Sequence, residues 1–150
     1  MLALLSLVNR YRRADEVERE RIYRAYLGNT RYINNWDLID VTAEHIVGAW
    51  LADRDRRPLR ALARSQSLWE RRSAIMSTFH FMKREEADET LRLAQQLLAD
   101  KHDLIHKAVG WMLREVGSRC DRALLRAFLD EHVACMPRTM LRYAIEHLPE

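Results

Sequence analysis

Glycine and proline are close to missing from these 150 residues, with four of one and three of the other. So few turn-forming residues exclude a sandwich or barrel of many short strands. No glycine-rich loop is present to cradle a phosphate, and no strained turn to present a nucleophilic serine. β-Branched residues are few and do not alternate with polar ones, so no strand is predicted. Cysteine is limited to Cys120 and Cys135, whose spacing suggests neither a metal site nor a disulfide framework. Reduced, inert thiols in a cytoplasmic protein are the simple expectation. The only N-terminal apolar run, Leu2 to Val8, is too short to span a membrane and lacks a small-residue cleavage pattern.

What remains is a helix-forming composition. Arg, Leu, Ala and Glu dominate, and 48% of the residues are apolar, enough for a real core in a single domain over 1–150. The net charge is +3 with a pI near 9.1, a mild excess whose placement matters more than its size.

Helix signals recur along the chain. An opening helix reaches about Tyr11. Asp15 caps the next, which ends at Gly28. Asn35 caps a helix to about Ala52, and a short helix to Ala63 follows Pro58. Ser67 and Glu70 form a capping box opening a helix to about Lys83. Further helices run from Ala87 to Ala99, from the cap Asp103 to near Gly117, from Asp121 to His132, and from Pro137 to Leu148. The order is helix, turn, helix, repeated. The second helix of each pair starts near 35, 67, 103 and 137, a step of about 34 residues that favours an all-α solenoid of helical hairpins over a plain bundle. Any functional surface should then lie on the second helices.

Three of those helices carry residues that break their apolar stripe. On the first, Trp36, Ile39, Asp40, Ala43, Val47 and Trp50 share one face, while Asp37 and Glu44 lie to the side within reach of water. Asp40 points where a helix normally buries carbon. It is a structural carboxylate paired with an arginine or backbone amides, a group facing a groove, or a catalytic acid or base. On the second, Arg72 falls inside the stripe of Leu68, Ile75, Met76, Phe79 and Met82, whereas Arg71 points away. A buried arginine needs an acid or a phosphate, and Asp40 is one candidate. On the third, Trp111 edges the stripe of Leu104, Ile105, Ala108, Val109, Met112 and Val116. Lys107 and Arg114 flank it, and Gly110 would admit an anion to the backbone, as in nucleic-acid grooves; snorkelling cations at a core margin are the plainer account. Arg138, Arg142 and Tyr143 repeat the theme on the last helix. His102 and His106 are spaced for a metal but lack an evident third ligand. The basic run from Arg54 to Arg64 is a solvated face or a DNA-backbone contact.

Three ordered segments carry a resemblance. Asn35-Trp36-Asp37-Leu38-Ile39-Asp40, Leu68-Trp69-Glu70-Arg71-Arg72-Ser73-Ala74-Ile75 and His106-Lys107-Ala108-Val109-Gly110-Trp111-Met112-Leu113-Arg114-Glu115 resemble the signature segments of the AlkD-type DNA alkylation repair glycosylases, which have HEAT-like repeats. The closing Pro137 to Ala144 also fits. The resemblance implies an α-solenoid whose basic groove holds duplex DNA. It implies hydrolysis of the N-glycosidic bond of cationic N3- and N7-alkylated purines without flipping the damaged base, and no metal or organic cofactor. Asp40 then matches the catalytic carboxylate, Trp36 and Trp111 the tryptophans lining the lesion's deoxyribose, and Arg72 an arginine contacting DNA. Lys107 and Arg114 become DNA-binding cations. Family members have further helices before the apolar run that starts here at Leu2, so the resemblance also implies a missing N-terminal part of the solenoid. Two rivals stand beside this reading. One is a non-catalytic repeat protein that binds DNA structure; the other is a protein-binding scaffold, against which Trp36 and Asp40 together argue.

Overall fold

The computed structural model describes residues 1–149, and among these every regular element is helical. Helices α1 (Leu2–Arg13), α2 (Glu16–Gly28), α3 (Trp36–Ala43), α4 (Ala49–Leu51), α5 (Arg57–Leu62), α6 (Leu68–Ser77), α7 (Phe79–Met82), α8 (Asp88–Gln96), α9 (Asp103–Glu115), α10 (Arg122–His132) and α11 (Arg138–Ala144) follow in order. None is long and apolar enough to cross a membrane.

The caps explain the starts. Asp15 accepts from the Glu18 amide and Asn35 from the Asp37 amide. The capping box at Ser67 is only half closed. Ser67 Oγ accepts from the Glu70 amide at 3.4 Å, but the Glu70 carboxylate accepts from Ser65 Oγ at 2.9 Å, and Ser65 Oγ in turn accepts from the Ser67 amide. At the third pair the cap is His102, whose ring nitrogen accepts from the Leu104 amide, so Asp103 is the first helical residue instead. Pro137 likewise caps α11 rather than opening it, and α11 ends at Ala144, short of Leu148.

Helices α3, α6, α9 and α11 stack on one another in sequence order, with α1 against α3 at one end. Helices α5, α8 and α10 lie behind as the partners of α6, α9 and the turn after α9, and α2 packs against the turn after α3. This is the predicted two-row, solenoid-like stack. Contacts between successive pairs have the expected span: Arg60 to Glu89, Arg72 to Asp40 and Gln96 to Arg60 join residues 29, 32 and 36 apart. The core runs between the rows, through Ile39, Ile46, Leu59, Ile75, Phe81, Met82, Leu93, Ile105, Met112 and Leu125.

Two glycines set how closely the front row stacks. A Cβ on Gly48 would lie 2.3 Å from the Ser77 carbonyl oxygen, and one on Gly110 would lie 2.5 Å from the Met140 carbonyl oxygen. The space at Gly110, expected to admit an anion, is filled by α11. A π-helical turn over Glu44–Gly48 inserts one residue and rotates the downstream part of the helix. That is why Ile46 is buried beside Val47. Glu44, expected to reach water, is instead tucked 2.7 Å from Lys83 Nζ. A break at Thr78 separates α6 from α7, in place of one helix to Lys83.

Candidate functional site

The side chain that breaks the α3 stripe meets the one that breaks the α6 stripe. Arg72 Nε donates to Asp40 Oδ1 at 3.0 Å and Arg72 Nη2 to Oδ2 at 2.9 Å, a bidentate pair. Arg72 Nη1 donates to the Leu104 carbonyl at 2.5 Å, tying the pair to α9. The Arg72 side chain is 6% exposed and that of Asp40 13%. Arg72 thus has a bond from every guanidinium nitrogen into the protein, where a DNA contact was expected. Asp40 keeps an opening to solvent.

That opening is the floor of a cleft of about 350 Å³ lined by Trp36, Asp40, Arg72, Leu104, Lys107, Trp111 and Tyr143. Each stacked front-row helix contributes: α3 the first two, α6 the third, α9 the next three and α11 the last. Trp36, placed by sequence on the buried stripe, is 48% exposed. It is the first residue of α3, where the stripe has run past the core and overhangs the cleft. Asn35, by capping α3, fixes where Trp36 projects. Under the floor, Tyr26 donates to Thr42 Oγ1 at 2.8 Å, since Thr42 itself donates to the Leu38 carbonyl. Burial pushes the Tyr26 phenol up to about 12; the neighbouring Thr42 and Ser73 hydroxyls oppose this, and the nearby Asp40 charge adds to it.

The predicted cations divide. Lys107 lines the cleft, and its Nζ is also 3.1 Å from Asp103. Arg114 does not reach the cleft. It is half-buried and ion-paired with Glu146 of the segment after α11, because one further turn along α9 carries it past Tyr143. Tyr143, noticed in the sequence but not ranked among the site residues, is a wall. Lys107, not Leu104, is in register with the pair, since Asp40, Arg72 and Lys107 are each the fifth residue of their helix; the Leu104 carbonyl had no signal in the sequence.

The other candidates resolve into structure. His102 caps α9 and His106 Nε2 lies 2.5 Å from the Asp100 carbonyl. Among the described residues, no three His, Cys, Asp or Glu side chains are grouped to hold a metal. The basic run is mostly paired: Arg54 with Glu16, Arg56 with Glu86, and Arg60 with Glu89. Burial pushes the Cys120 thiol up, consistent with an inert group, but Cys135 is exposed rather than in the core.

Chemically, the cleft offers a fixed carboxylate, indole and phenol surfaces, and one amine. Its charged groups are Asp40, Arg72 and Lys107, and its indole faces can take a cation. Comparisons with known proteins supply the family. A family model described as "DNA alkylation repair enzyme" matches residues 1–148. No curated protein matches the chain. A solved structure described as a predicted DNA alkylation repair enzyme from Enterococcus faecalis superposes with a TM-score of 0.74 at 18% identity, over 99% of this chain and 67% of that one. At that identity the likeness is one of fold.

Proposed function

The chain belongs to the family of DNA alkylation repair enzymes, and from that premise we propose that it is a DNA glycosylase for cationic N3- and N7-alkylated purines in duplex DNA. Asp40, Trp36 and Trp111 are its catalytic residues. Arg72 is a positioning residue and Lys107 a phosphate contact. The observation that carries the reading is the bidentate Asp40–Arg72 pair at the floor of a tryptophan-lined cleft.

An alkylated purine already carries positive charge and leaves without a general acid. As the glycosidic bond breaks, cationic character builds on the deoxyribose. A carboxylate about 4 Å away at an effective dielectric near 20 attracts that charge by about 4 kcal/mol. Expressed wholly in the transition state, this is on the order of a thousandfold in rate. The paired guanidinium offsets part of it, so the net contribution is smaller. In exchange, Arg72 holds Asp40 in one orientation. The same carboxylate orients a water for attack at the sugar. Indole faces add cation–π attraction. The cleft is an open groove between helices, which fits a lesion handled within the duplex rather than flipped into an enclosed pocket.

The test is release of 7-methylguanine and 3-methyladenine from methylated duplex by the chain and its Asp40→Asn variant. Release that falls by at least a hundredfold in the variant, with duplex binding retained, is the expected result. A fully active variant would remove Asp40 from the mechanism, and equal, salt-sensitive duplex binding with no base release by either protein would favour the structure-binding reading.

A further inference from the structure

Behind Trp111 lies a closed ring of contacts whose other members, Glu115, Arg119 and Phe79, are not among the cleft's lining residues. Trp111 Nε1 donates to Glu115 Oε1 at 3.3 Å. Arg119 Nε donates to the other oxygen, Glu115 Oε2, at 2.8 Å. The Arg119 guanidinium lies 4.8 Å from the centre of the Phe79 ring, and Phe79 packs on Trp111 with ring centres 6.4 Å apart. Lys83 Nζ lies 4.8 Å from the same Phe79 ring and is held by Glu44. Trp111, Glu115 and Arg119 occupy one row of α9 and its π-helical extension Val116–Cys120, and Phe79 reaches them because the break at Thr78 starts a new helix there.

Indole has a single hydrogen-bond donor, and here Glu115 occupies it. What Trp111 offers the cleft is therefore carbon π surface. A free N–H would present a positive edge, which repels a cation and attracts a neutral or anionic acceptor. A carboxylate on the N–H also pushes electron density into the ring, which strengthens attraction for a cation over its face.

We infer that Glu115, held by Arg119 and with Arg114 Nη2 4.0 Å from its Oε1, is a positioning and specificity-determining residue that tunes Trp111 to select positive charge in the cleft. The inference rests on the glycosylase reading, but its test does not need turnover. Duplexes are prepared with either a pyrrolidine abasic-sugar analogue, cationic at neutral pH, or the neutral tetrahydrofuran analogue. The ratio of their dissociation constants measures charge selection at the site. Glu115→Ala is expected to lower the cationic preference roughly tenfold while leaving affinity for the neutral analogue unchanged. Glu115→Gln keeps the acceptor and the packing but loses the charge, and is expected to fall between. In nitrogen-resolved NMR spectra the indole N–H signal of Trp111, identified by its absence in Trp111→Phe, should shift in both Glu115 variants. A cationic preference unchanged in both variants overturns the inference, as does a preference lost together with equal loss of neutral-analogue affinity. If the unaltered chain selects the cationic analogue through Glu115 but releases no alkylated base, the inference stands and the glycosylase reading fails.

Discussion

At the scale of the residue, one ion pair organises the cleft. Asp40 and Arg72 are nearly enclosed, and each is the other's main partner. Removing one partner leaves an uncompensated charge away from water. Arg72→Leu should therefore cost about 3 kcal/mol of stability, measured by urea denaturation, while Arg72→Lys, which keeps the charge but loses the fork, should cost less. Asp40→Asn is milder, because its amide oxygen still accepts one hydrogen bond from the guanidinium. A loss on the order of 1–2 kcal/mol is expected, alongside the much larger loss of base release. Activity should therefore be compared well below the variant's Tm. An Asn variant that unfolds as readily as Arg72→Leu yet keeps full activity would mark the pair as structural only.

At the scale of the element, the front row depends on helices approaching closely where a side chain is missing. A Cβ at Gly48 or Gly110 would meet a carbonyl oxygen of the neighbouring helix well inside van der Waals contact. Backbone, unlike a flexible side chain, cannot swing away. Gly48→Ala should separate the π-helical turn after α3 from the end of α6, and Gly110→Ala should separate α9 from α11. Each should cost about 2 kcal/mol by thermal denaturation. Gly110→Ala should also weaken cleft binding, since Tyr143 is one wall. Gly28→Ala is the control. It meets nothing within 4 Å at the end of α2, and should be neutral or slightly stabilising because alanine is the better helix former.

At the scale of the whole molecule, charge decides behaviour in solution. A net charge of +3 is too small to hold a polyanion by itself. On the proposed function, binding comes from placed cations such as Lys107, and duplex affinity should fall with salt with a log–log slope of about −2 or steeper. A scaffold that binds only protein would show no such slope. The fold also carries its own pH dependence. His45 and His80 have pKa values lowered from 6.5, chiefly by burial and further by Lys83, with Arg12 acting on His45 and Arg84 on His80, while Glu44 opposes. A lowered basic group binds fewer protons folded than unfolded. Stability is complete above about pH 6.5 and declines as pH drops below it towards the folded values. A Tm lower at pH 5.5 than at 7.5, with the gap narrowed in His80→Asn, is the expected result. At the alkaline end, Tyr26 shifts the other way, and stability is lost as pH rises from 10 through about 12.

The residues alone determined the helices, their pairing into a repeat, and the three positions where an apolar stripe was broken. These are local facts: caps act within three residues, and stripe membership follows from 100° per residue. Even the convergence of Asp40, Arg72 and Lys107 could be anticipated, because each is the fifth residue of its helix and a repeat brings equivalent positions into one column. Tertiary structure alone decided what each broken position does. The repeat step varies, and the π-helical turn over Glu44–Gly48 rotates the helix in a way no periodicity reveals. So Glu44 turned inward, Gly110 received a helix, Arg114 passed the cleft to meet Glu146, and Trp36 came to overhang it. Whether a cation is free or neutralised depends on which acid lies about 30 residues away in the next repeat. That distance is set by packing, not by the chain between them.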